Sequence, residues 1–125
     1  MKKIVVLMSL FFLSITIVSA QQRERPSAED RAKNQTERVD KVVKLTDEQK
    51  TKMQAVNLEL AKKADEQMKD RGDRDAMRAK MQEIDSERDQ KYKEILTEDQ
   101  FKKYTEDKAE RQKQSEERRK QRGGR

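Results

Sequence analysis

The chain has 125 residues, 45% of them charged and 31% hydrophobic, with 31 lysines and arginines against 25 acids and a formal charge of +6. It has no histidine, cysteine or tryptophan and three glycines, which excludes histidine-assisted nucleophiles, the usual imidazole or thiolate metal sites and a phosphate-cradling glycine loop. No catalytic residue, metal site or cofactor is therefore expected, and the protein is read as not an enzyme.

Residues 1–20 have the three parts of a secretory signal peptide: Lys2 and Lys3, an apolar run from Ile4 to Val18, and the small-residue ending Val18-Ser19-Ala20. The run is shorter than the roughly 20 residues a membrane-spanning helix needs, so cleavage after Ala20 and export are expected. Cleavage removes two lysines and no acids, which lowers the formal charge from +6 to +4. In the remaining chain 25 residues are Ala, Val, Ile, Leu, Met, Phe or Tyr, and eight of those are alanine. So little apolar bulk scarcely offsets about 1–2 kcal/mol of backbone ordering per residue. Burial against a second copy, a homodimer, is expected to make up the difference.

Residues 21–107 read as one helical domain. Ser27 followed by Asp30 is a cap for a first helix to about Val43, with Ala28, Ala32, Gln35, Val39, Val42 and Val43 on one face. A second helix runs from Asp47 to about Lys69 with Met53, Val56, Leu60, Ala64 and Met68 in a stripe, and Leu58 off it as a candidate exposed contact. Asp70-Arg71-Gly72-Asp73 breaks the pattern as a tight helical hairpin, with Gly72 suited to a left-handed C-terminal position and Asp73 to the next N-cap. The third helix, Arg74 to about Leu96, presents Met77, Met81, Ile84, Tyr92 and Ile95. Arg88 interrupts that face, so either its stem packs with its head in water or the face is an open surface that tolerates a cation. A fourth helix follows Thr97 with Phe101 and Tyr104 inward, and residues 108–125 read as a charged, partly disordered tail. The expected architecture is all-α, with about four short amphipathic helices packed together.

The pentapeptides Leu45-Thr46-Asp47-Glu48-Gln49 and Leu96-Thr97-Glu98-Asp99-Gln100 repeat one pattern 51 residues apart. Each is a capping box: the threonine hydroxyl accepts an amide three residues on, and the glutamine reaches back to the threonine N–H. In the second copy Leu96 and Phe101 have the spacing of a hydrophobic staple, whereas the first has Lys50 at that place. The pair resembles the L-T-x-x-Q signature of the Spy/CpxP family of small periplasmic helical proteins, over roughly Leu45 to Tyr104.

That resemblance implies a periplasmic, ATP-independent chaperone, a thin, curved bundle forming an antiparallel dimer whose concave, positively charged side holds unfolded or misfolded envelope proteins and suppresses their aggregation. Leu45, Thr46, Gln49, Leu96, Thr97 and Gln100 would then be structural, and Lys50, Lys52, Lys62, Lys63, Arg74, Arg78 and Lys80 candidates for a cationic rim. Met53, Met68, Met77 and Met81 either fill the core or give such a surface its adaptability. A regulator docking on an envelope-stress sensor kinase, the family's other role, shares fold and signature. A polyanion binder is the next alternative, but acids interleave with the bases and few aromatics are present, so no specific nucleic-acid partner is expected. A coiled-coil spacer fits less well, because the stripes drift and two caps interrupt them.

Overall fold

Local side-chain chemistry sets where the helices begin. The Ser27 hydroxyl accepts the Asp30 amide at 3.0 Å, and two threonines do the same further along the chain. The structure, a computed structural model, describes residues 24–70 and 72–123, so the signal-peptide reading of residues 1–20 lies outside the described residues. The protein is all-α, with helices α1 (Ala28–Val43), α2 (Asp47–Lys69), α3 (Arg74–Ile95) and α4 (Glu98–Gly123). The charged stretch from Lys108 is part of α4 as far as Gly123.

The stops differ from expectation in one respect. No described glycine has a positive φ, so Gly72 is not a left-handed cap. The left-handed residue is Lys44, φ 57°, whose N–H closes α1 on the Asp40 carbonyl at 2.9 Å. The α2–α3 turn is instead held by the Gly72 N–H on the Asp70 carbonyl at 2.8 Å. Asp73 does occupy the N-cap of α3, without a side-chain hydrogen bond.

Successive helices run antiparallel. Arg31 reaches Asp65 and Lys50 reaches Asp40 between α1 and α2. Lys91 reaches Glu59, and Lys63 reaches Glu87, between α2 and α3. The beginning of α4 returns to α1 and α3, closing a four-helix cluster at one end. Its core is Val39, Val43, Leu45, Met53, Tyr92, Leu96 and Tyr104, with Val42, Val56, Ile95 and Phe101 packed against it. Tyr92 and Tyr104 meet edge to face with ring centroids 5.0 Å apart, a favoured aromatic geometry.

A buried polar relay ties three helices together. The Tyr92 hydroxyl donates to Asn57 Oδ1 at 2.6 Å, Asn57 Nδ2 donates to Thr36 Oγ1 at 3.0 Å, and the Thr36 hydroxyl donates to the Ala32 carbonyl at 2.9 Å. Asn57 and Thr36 thus hold core positions that apolar periodicity does not reveal. Gln35, expected inward, is only half-buried while its neighbour Thr36 is buried. Because each buried group finds a partner, the relay avoids the cost of about 1–3 kcal/mol of an unsatisfied buried polar group. On the opposite flank Tyr104 donates to Asp89 at 2.8 Å, and Lys108 bridges Asp85 and Asp89 at 2.7 and 2.5 Å. Beyond Arg111 every described residue of α4 is exposed.

Candidate functional site

The two pentapeptides meet in space. Each forms its capping box: Thr46 and Gln49 exchange bonds at 3.0 and 3.2 Å, Thr97 and Gln100 at 3.0 and 3.3 Å. The two glutamines also bond to each other, Gln49 Nε2 donating to Gln100 Oε1 at 2.7 Å and Gln100 Nε2 donating to Gln49 Oε1 at 3.1 Å. Each amide then donates to the carbonyl just before the other copy, Gln49 to Ile95 at 3.1 Å and Gln100 to Lys44 at 3.2 Å. The repeat is therefore a pseudo-twofold knot in which each helix start is fastened to the preceding helix end of the other copy. Leu45 and Leu96 are buried beneath it. Phe101 packs on the same core. At the equivalent place in the first copy, Lys50 reaches Asp40 at 3.1 Å, and the other Asp40 oxygen accepts the Leu45 amide at 2.9 Å. The Lys50 and Leu45 bonds hold the Asp40 carboxyl below the usual range.

The candidate contact residues separate. Met53 is 0% exposed and belongs to the core, so it is corrected from surface to structural: at that position α2 is covered by the motif knot and Tyr92. Leu58, expected exposed, is half-buried. Met68 and Met77 line a shallow cavity of about 320 Å³ at the hairpin with Arg25 and Gly72, and Met81 is half-buried on α3.

Among the proposed cations, most are engaged. Lys52 meets Glu48 at 2.7 Å, Lys63 meets Glu87 at 2.6 Å, Lys80 meets Asp70 at 3.6 Å and Arg88 meets Asp85 at 3.1 Å. The Glu87 bond raises the Lys63 amine above its ordinary value, and the same bond lowers Glu87. Among the described residues Lys62, Arg74 and Arg78 make no ion pair. The first two turns of α3 therefore carry two exposed cations beside Met77.

Two further apolar grooves escape a reading by stripes. Val56 and Ile95, both expected inward, line an open groove of about 390 Å³ between α2 and α3, flanked by Lys52 and Lys91. Leu96 and Phe101 line another of about 420 Å³ with Lys93 and Lys102 on its edges. The signal was available: lysines lie within four residues of each apolar side chain on both elements. Among the described residues no three acidic side chains converge as a metal site, and no helix is long and apolar enough to cross a membrane.

Residues 19–104 match the family described as Domain of unknown function (DUF4890), and the chain belongs to that family. The match ends at Tyr104, the last buried residue of the core. Neither a curated protein nor a solved structure matches the chain.

Proposed function

We propose that the protein is an exported, ATP-independent chaperone that holds unfolded or misfolded envelope proteins in the periplasm as a homodimer and suppresses their aggregation. It is no enzyme and needs no cofactor. The observation that carries this reading is the repeated pairing of half-buried apolar side chains with lysine or arginine side chains at open grooves. Met68 and Met77 line the hairpin cavity with Arg25; Arg74 and Arg78 flank Met77 along α3, and Val56 and Ile95 lie beside Lys52 and Lys91 at the other end of α2 and α3. Shallow apolar strips take up extended segments without a defined side-chain code, adaptable methionines widen the range, and the cations attract acidic clients. The resemblance of the two pentapeptides to the Spy/CpxP signature supports the same reading, with the knot as scaffold.

The test is light scattering of a denatured client diluted into buffer with and without the mature chain, without nucleotide, at low and moderate salt. Suppression near stoichiometric ratios at both salt concentrations is expected. Replacing Arg74, Arg78 and Lys80 together with Glu is expected to weaken holding while helicity, read by circular dichroism, is unchanged. Unaltered holding by that variant would discard the hairpin cations, and a helical wild type that suppresses nothing would discard the chaperone.

A further inference from the structure

Between α1, α2 and the middle of α3 lies a cavity of about 330 Å³ that the client reading does not use. Three guanidinium groups line it, Arg31, Arg38 and Arg88, over an apolar floor of Leu60, Ala61 and Ala64. Their charges are not equally spoken for. Arg31 is held by Asp65 at 2.5 Å and also donates to the Ala61 carbonyl at 3.4 Å. Arg88 reaches Asp85 through one terminal nitrogen, but its Nε is buried and has no hydrogen-bond partner. Arg38 makes no ion pair among the described residues, its one bond being to Gln35 Oε1 at 3.5 Å. The cavity therefore offers an open guanidinium fork, a buried unpartnered N–H and one positive charge in excess.

We propose that this cavity binds a carboxylate carried on a short apolar stem. The charge argues for a monoanion: with Asp65 on Arg31 and Asp85 on Arg88, a single excess charge remains, which suits a carboxylate better than a doubly charged phosphate. Geometry argues the same way, because a planar carboxylate matches a guanidinium fork with two parallel bonds. The buried Arg88 Nε–H is otherwise a costly orphan, and an anion oxygen would satisfy it. The floor sets the remainder: Leu60 lies fully buried beneath it, and the small side chains of Ala61 and the half-buried Ala64 leave room for a few carbons. The volume lies at the lower end of ligand sites, about 300–1,000 Å³, so a small organic acid or the last residues of a peptide fits. The inference rests on its own residues and is independent of client holding.

The side-chain Nε–H resonances of arginine in the mature chain provide the readout, in titrations at constant ionic strength with acetate, butyrate and N-acetyl-alanyl-alanine. A saturable shift of the Arg88 resonance is expected, with butyrate on the order of tenfold tighter than acetate for its two extra methylenes. Butyramide and the amidated dipeptide are expected to give none. Arg38→Gln is expected to weaken butyrate about tenfold with an unchanged circular dichroism spectrum, since Arg38 is exposed and holds no carboxylate. Tighter binding of the dipeptide acid than of butyrate assigns a peptide C-terminus, and the reverse order assigns a free organic acid. No saturable shift, an equal shift with chloride, or tighter binding of inorganic phosphate than of butyrate would overturn the proposal.

Discussion

The two ends of the α2–α3 hairpin lie on the same pair of helices and behave as different materials. At the motif end, Thr46, Gln49, Thr97 and Gln100 bond within their own turns and the glutamines bond again across to the other copy, over a core of Met53, Tyr92 and Tyr104. At the turn end, Asp73 caps α3 with no side-chain bond, and Met68, Met77 and Met81 are only half-buried. At the motif end the polar groups are bonded among themselves between two open apolar grooves, whereas at the turn end half-buried methionines lie beside Arg74 and Arg78, which make no ion pair among the described residues. The contrast is one of how firmly each end is held along one pair of helices, an arrangement that lets the surface proposed to hold clients adapt at the turn without melting the fold.

The largest expected effect comes from alkaline pH, because it acts on the buried tyrosines of the motif end as well as on the lysine ion pairs. Burial raises the Tyr104 and Tyr92 phenols above their ordinary 10.0, and at Tyr104 the hydrogen bond to Asp89 adds to it. Lys108 is pulled down by burial, but its bonds to Asp85 and Asp89 outweigh this and hold it above 10.5. The folded state thus favours neutral phenols and a charged amine. For each group the stabilisation is fully present below its unfolded pKa and is lost as pH rises through the higher folded value, so stability declines above about pH 10. These are the chain's two tyrosines, so phenolate absorbance reports the core directly. Phenolate absorbance and helix loss are expected to rise together. Independent titration near pH 10.0 with the helices intact would show that the motif end is open to water.

Next come the methionines, which set the two ends against each other. Met53→Ala, at a side chain 0% exposed, is expected to cost about 2–5 kcal/mol in urea unfolding. Met77→Ala, at a half-buried position beside the turn, is expected to cost under about 1 kcal/mol. Equal costs would erase the distinction between scaffold and surface.

The knot itself gives an intermediate effect. Gln49→Ala or Gln100→Ala removes one amide of the reciprocal pair and leaves its own Thr46 or Thr97 N–H and the Ile95 or Lys44 carbonyl without that partner, while the other glutamine keeps its threonine and carbonyl bonds. Each is expected to cost about 1–3 kcal/mol. The double variant is expected to lose less than the sum, since the bonds between the two glutamines are lost once and not twice. Simple additivity would mean that the two copies are independent caps.

Which of this was legible in the amino-acid order follows from how local each cause is. Helix limits depend on residues three or four apart, and Ser27, Thr46 and Thr97 announce their helices to within a residue. The pairing of Gln49 with Gln100 has no local cause: the 51-residue repeat signals two helix starts, not that they touch. Asn57 lies four residues after Met53 and three before Leu60, so its place in the stripe was visible and only its polarity concealed it. Met53 is the reverse case, a side chain equally suited to core and surface whose burial depends on helices that arrive later in the chain. The free cations were hidden for the same reason. Whether Lys63 or Lys80 is available depends on Glu87 and Asp70 across the α2–α3 interface.

The smallest expected effect tests the turn end by trying to improve it. Gly72 was suited by type to a left-handed cap, yet it has no positive φ, and a Cβ built on it meets nothing within 4 Å. Its N–H bond to the Asp70 carbonyl uses backbone alone and survives substitution. An alanine therefore fits the native conformation and reduces the freedom of the unfolded chain, so Gly72→Ala is expected to stabilise by about 0.4–1 kcal/mol. Client holding is expected to persist, because Met68, Met77, Arg74 and Arg78 are untouched. Destabilisation would mean that the turn requires the left-handed backbone after all. Stabilisation accompanied by loss of holding would instead place function in the freedom of the turn, and the two ends would then differ in motion as well as in packing.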